Sequence, residues 1–306
     1  MAALPLAAAE APLPPYVPAN AQLIVGLRVR SVAAFLAEQG VYQEVQAAYG
    51  QFLAHSPLEG IDPLRDVDEV LLAVAGDGKN PPTLAVMTGR FPAAGFRAKG
   101  KPYKNALIVE MPEAPGQSMA FLDANTLIAG DAPLVRAAVD GATGAALDPA
   151  LDARAAELRA QYDVWGIGTT PAGAEVPAAA GPLNSIDRFS FGVSLSHGLE
   201  CVADLHARSP KDLEKLRSSL QILEDLSKLQ PAGGDQGHFD LRIANGSAQF
   251  SLSVSAEALK KAIAQQQAAL AASRPTHPAE PPAPPRATIV QGPKGDTIGV
   301  MLPGRP

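Results

Sequence analysis

The chain has 306 residues, 47% of them hydrophobic and 18% charged, enough for one large core or two modest ones. A net charge of −6, with no Lys/Arg cluster, argues against nucleic acid as a partner, because phosphate binding needs a basic stripe. The single cysteine, Cys201, excludes an intramolecular disulfide and a cysteine-rich zinc site, and no run of about 18 apolar residues is available for a transmembrane span.

Residues 1–11 read M-A-A-L-P-L-A-A-A-E-A. This resembles the end of an export signal, with Ala7-Ala8-Ala9 suited to signal peptidase, although no basic segment precedes it. The expected location is therefore outside the cytoplasm, periplasmic or secreted. Residues 12–20 are Pro-rich and read as a spacer.

The first folded segment opens with a strand at 22–28, where Arg28 and Arg30 alternate as on an ordinary solvated face. Ser31 is placed to cap a helix at 32–38. A second helix covers 42–54, with Val45, Tyr49, Phe52 and Leu53 on one side. Strands at 69–75 and 83–88 follow, joined by the turn residues Gly76-Asp77-Gly78-Lys79-Asn80. Residues 92–96 suffice for about one helical turn. Strands at 106–111, 118–122 and 126–128 lead to a helix starting at Pro133. Asp148-Pro149 then opens a helix to about residue 161.

The second segment repeats that order with a strand at 163–168, a loop to 184, and strands at 188–195 and 199–207. Its long helix has Ser209 as N-cap, Pro210 at the first helical position and Asp212 where a capping box wants an acid. Leu213, Leu216, Leu220, Leu223 and Leu226 form a stripe for packing on a sheet. Strands at 239–244 and 248–254 pair across Asn245-Gly246, and a helix covers 256–271. Residues 272–286 form a Pro-rich linker, and 287–306 read as a tail or a small hairpin.

The two segments match in detail. Val67-Asp68 leads into an apolar strand as Ile186-Asp187 does, and Arg90 and Pro92 recur as Arg208 and Pro210. The expected fold class is α+β: tandem duplicated units of mainly antiparallel sheet with helices packed on one face. The units are residues 21–144 and 163–271, with 145–162 as connecting helix.

Chemistry is sparse. Gly76-Asp77-Gly78-Lys79 lacks Walker spacing, Gly166-Ile167-Gly168 runs into Pro171 rather than a helix, and Gly192-Val193-Ser194-Leu195-Ser196 misses the nucleophile elbow. Strand alternation puts Glu200, Val202, Asp204 and His206 on one face of 199–207, opposite Cys201, Ala203 and Leu205. Glu200, Asp204 and His206 are thus the candidate binding residues, weighed against an ordinary solvated face. No metal, cofactor or catalytic set is expected. The matching positions in the first segment, Leu84, Val86 and Thr88, are apolar or neutral, so that face needs a cover, and a protein partner on an exposed sheet face is one candidate. The Asp68 and Asp187 pair reads as turn caps.

The stretch 67–91, with Val67-Asp68, an apolar strand, a loop and a strand ending in Gly89-Arg90-Phe91, resembles duplicated α+β proteins exported by bacteria and mostly of unknown function. The segment from Phe121 to Val135 resembles the end of the same unit. The resemblance implies a fold and supplies no functional residues. The functional expectation is a non-enzymatic envelope or periplasmic binding protein, and the alternative is a hydrolase with a site between the two units.

Overall fold

In a computed structural model, residues 13–53, 61–76, 80–91, 100–112, 114–141, 149–170, 185–229 and 237–273 are described. The expected signal at 1–11, the linker and the tail lie outside them. Residues 1–263 form one compact unit, and 264–306 a second, whose described part is the end of the last helix.

The first unit is built on one twelve-stranded sheet. In chain order the strands are β1 (Ala21–Arg28), β2 (Val67–Ala75), β3 (Thr83–Gly89), β4 (Lys101–Tyr103), β5 (Ala106–Glu110) and β6 (Gln117–Phe121). They continue with β7 (Thr126–Asp131), β8 (Val164–Thr169), β9 (Ile186–Ser194), β10 (Gly198–Ala207), β11 (His238–Ala244) and β12 (Ser247–Ser255). Across the sheet they run β11-β12-β10-β9-β8-β1-β2-β3-β7-β6-β5-β4. Every neighbouring pair is antiparallel. Outward from the β1–β8 seam, β2, β3, β7 and β6 on one side face β9, β10, β12 and β11 on the other. One sheet therefore runs through both segments.

The helices are α1 (Val29–Glu38), α2 (Tyr42–Leu53), α3 (Pro63–Asp66), α4 (Ala132–Val139), α5 (Pro149–Gln161), α6 (Pro210–Leu229) and α7 (Ala256–Ser273). They take both faces of the sheet, where the sequence suggested one. On the first face, Val135 and Ala138 of α4 and Ala155 and Leu158 of α5 pack on Ile24, Leu71, Leu84, Val86, Ile128 and Trp165. On the second face, Val29 of α1 and Leu64 of α3 pack with Val67, Met119, Phe121 and Leu127. Farther along that face, Leu216 of α6 packs on Ile186 and Ala207. The α+β class holds, but strand alternation in the first segment is apolar on both sides, so it needs helices on both.

Several local expectations change. Helix α1 starts at Val29, directly after β1, with Arg28 at the cap position and no side-chain cap, so Ser31 lies inside the helix. The proposed spacer is packed: Leu13 and Val17 join the first-face core. Tyr49, grouped with Val45 on one side of α2, is exposed. Asp68 and Asp187 are not turn caps. Val67 pairs with Gly89 and Glu69 with Thr88, leaving Asp68 as the extra residue of a bulge. Asp187 is the extra residue of the matching bulge, between Ile186–Ala207 and Arg188–His206. The α6 N-terminus forms as read: the Ser209 hydroxyl accepts from the Asp212 N–H at 3.2 Å and donates to its carboxylate at 2.7 Å.

Candidate functional site: a polar trench beside α5

The first face of the sheet changes character at β9. Over β1–β3 it is apolar and covered; Leu84 and Val86 are buried beneath the helices. Over β9, β10, β12 and β11 the same face carries Arg188 and Ser190, Asp204 and His206, Gln249 and Ser251, then Asp240 and Arg242, which the pairing register sets side by side. From the sequence, a protein partner was one candidate cover for the apolar part; the observed cover is α5, with α4 and the segment at Leu13–Val17. Its edge then becomes a wall for the polar part.

The position of α5 is fixed by charges. Arg159 grips Glu69 of β2 through two bonds, Nε to Oε1 at 2.8 Å and Nη2 to Oε2 at 2.7 Å. Arg28 donates to the Arg159 carbonyl and, at 3.3 Å, to that of Ala160, where the helix presents its negative end. Arg28 therefore docks a helix rather than decorating a solvated strand. Inward, Tyr162 lies over Gly192, where a Cβ would meet the ring at 2.3 Å. Glycine at that position lets the connection settle onto the sheet.

Two adjoining depressions result, of about 380 and 480 Å³, sharing Arg154, Ser190 and Asp204. One extends over Val202, Gln249, Ser251, Asp240 and Arg242. The other runs past Leu151, Ile167, Thr169, Arg188 and His206. Together they form one open trench. Its polar groups hold one another: Gln249 donates to Asp204 at 3.1 Å, Arg242 to Asp240 at 2.9 Å, and Arg154 to Glu157 at 2.6 Å and to Ser190 at 3.4 Å. His206 Nδ1 donates to the Asp187 carboxylate at 2.7 Å, which leaves Nε2 as the other ring nitrogen. Among the described residues no hydroxyl or thiol bonds to Nε2, and no group of three His, Cys, Asp or Glu could hold a metal.

Of the three residues proposed from the sequence, Asp204 and His206 line the trench, while Glu200 is exposed and lines neither depression. Arg154, Gln249, Asp240 and Arg242 were missed. Arg154 arrives from α5, which packs over the sheet, and Gln249, Asp240 and Arg242 come from the β11–β12 hairpin, which the sheet register sets beside Asp204. Cys201 lies on the opposite face, half-buried between Val193 and Leu252, and burial pushes its thiol pKa up.

No known family and no curated protein matches the sequence. Among solved structures, the chain is similar to TP0453, a bacterial protein. Its crystal form I aligns at a TM-score of 0.47 and 11% identity, covering 82% of this chain and 96% of that one. Crystal form III aligns at 0.47 and 10%, covering 83% and 98%.

Proposed function

We propose that the protein is a non-enzymatic binding module whose ligand lies along the trench beside α5. The carrying observation is the floor itself: charges of both signs in an open groove, each held by a neighbour and, among the described residues, none aimed at a nucleophile. Such a surface suits an elongated ligand with alternating donors and acceptors, an extended peptide being the simplest. The ordered pairs fix the floor before binding and lower the ordering cost. A hydrolase is less well supported, because His206 has an orienting carboxylate but, among the described residues, no hydroxyl or thiol to activate. The test is a peptide-array screen followed by calorimetry on R154A and D204N. Binding weakened at least tenfold in both supports the reading, as one lost charged contact requires. Turnover of esterase, phosphatase, glycosidase or peptidase substrates, abolished by H206A, would overturn it.

The same proposal includes export and internal duplication. Export rests on residues 1–11, and fractionation that leaves the full-length product uncleaved in the cytoplasm would count against it. Duplication is supported by the mirrored strand order, by the paired bulges at Asp68 and Asp187, and by one repeated backbone contact. The Arg90 N–H donates to the Asp66 carbonyl at 2.7 Å and the Arg208 N–H to that of Ser185 at 3.0 Å, each just ahead of a bulged strand. Relatives whose two halves show unrelated residue preferences at these positions would remove it.

A further inference from the structure

The two ends of the sheet are built differently. At one end, β4 is three residues long, carries Lys101 and Pro102, and is followed by Lys104. A short strand with proline and lysines resists further pairing, because proline offers no N–H and the lysines resist desolvation. At the other end, β11 is seven residues long, reads H-F-D-L-R-I-A, and has neither device. Among the described residues no strand pairs with its outer edge. Ile243 on this strand is 37% exposed. The corresponding edge in the other half, that of β6, is occupied by β5.

The backbone of β11 has a definite outward set. Asn245 and Gly246 have φ of 52° and 80°, as a two-residue type I′ turn requires. Such a turn closes with a hydrogen-bonded Ala244–Ser247 pair. Bonded and non-bonded pairs then alternate along an antiparallel ladder. His238, Asp240, Arg242 and Ala244 therefore bond to β12, and Phe239, Leu241 and Ile243 direct their N–H and C=O groups outward.

We infer that this edge pairs with the same edge of a second copy of the chain, β11 antiparallel to the partner's β11 about a twofold axis at Leu241. The sequence is self-complementary in that register and in no neighbouring one. Centred on Leu241, Asp240 stands opposite the partner's Arg242, and Arg242 opposite the partner's Asp240, on the trench face. On the other face Leu241 meets the partner's Leu241, and Phe239 meets the partner's Ile243, covering the exposed side chain. The outward N–H and C=O groups of all three apolar residues are satisfied. Moving the axis by one residue sets Asp240 or Arg242 against its own copy, and like charges directly opposite are destabilising. The pairing brings two trenches together on one face, since Asp240 and Arg242 line the end of each. It rests on the edge geometry and stands whether or not the trench binds a peptide.

The test is sedimentation of the full chain across a concentration series, with D240R, R242D and their equimolar mixture. Both side chains project from the sheet, so β11–β12 pairing is retained, and circular dichroism verifies it. The wild type should dimerise. Each single variant, with like charges now opposed, should dimerise roughly tenfold or more weakly, and the mixture should recover, because the two altered strands complement each other. Hydrogen exchange on the wild type alone gives a second readout: the amides of Phe239, Leu241 and Ile243 should slow as concentration rises. A wild type that is monomeric at about 1 mM, the weak limit of specific association, overturns the inference. So do single variants that dimerise like the wild type, a mixture no better than its components, or concentration-independent exchange at these amides.

Discussion

Trp165 lies directly opposite Gly26 across the β1–β8 seam, and its indole fills the space a side chain on Gly26 would need. A Cβ there would stand 2.2 Å from the ring. Trp165 is fully buried, with Ala155 and Leu158 of α5 in the same core. G26A should therefore cost about 1–3 kcal/mol, the usual range for overpacking a core. As Trp165 is the sole tryptophan, its fluorescence reports the seam directly. Urea unfolding of G26A that superposes on the wild type would contradict this packing.

The grip of Arg159 on Glu69 sets the trench wall. Both side chains are largely buried, at 20% and 14% exposed. Removing Glu69 takes two carboxylate hydrogen bonds from Arg159. E69A should destabilise by about 1–3 kcal/mol, the usual range for losing hydrogen bonds between charged groups. E69Q should lose less, because the amide oxygen still accepts from Arg159. Equal losses in the two variants would show that the charge and not the hydrogen bonding fixes α5.

The core of this protein was easier to read from its sequence than its site. The leucine stripe of α6 and its Ser209 cap are local, and a period of three and four residues announces them. Alternation put Asp204 and His206 on one face for the same reason. Gln249 reaches Asp204 only through the sheet register, and Arg154 joins the same trench only through the packing of α5, neither of which a local pattern encodes. The seam is similar: β1 and β8 both read as short apolar strands, and nothing near either names the other as neighbour. Leu13 and Val17 were hidden by the prolines around them, whose loop character says nothing about burial.

The leucine stripe itself gives a graded test. Leu216 is 2% exposed and Leu220 9%, and Leu216 packs on Ile186 and Ala207 of the sheet. L216A and L220A should each cost about 2–5 kcal/mol, with L216A at the upper end because its site is the more enclosed. L220A without effect would place that turn of α6 away from the sheet.

Asp212 couples the same helix to pH. The bond from Lys215 and then that from Ser209 hold its carboxyl below the ordinary carboxylate range. A folded pKa that is lowered means stability present above the unfolded value of about 3.9 and lost as pH falls through the folded value. D212N removes that dependence, so wild type and variant should differ most near neutrality and converge in acid. S209A should cost about 1 kcal/mol at neutral pH through the lost cap. A D212N deficit that stays constant down to pH 2 would assign its effect to packing rather than charge.

Cys201 provides a probe of the opposite face. Its thiol is half-buried in β10, flanked by Val193 and Leu252, and burial raises its pKa. At neutral pH the thiolate, the species that reacts with disulfide reagents, is then scarcer than in a free cysteine. Reaction of the native protein with such a reagent should be slow and should accelerate with pH. In urea the rate should rise in step with Trp165 fluorescence, because β10 is a central strand and exposing Cys201 requires breaking its ladders with β9 and β12. Fast labelling of the native protein, or labelling that precedes the fluorescence change, would show that β10 opens locally. The second half of the sheet would then unfold apart from the seam.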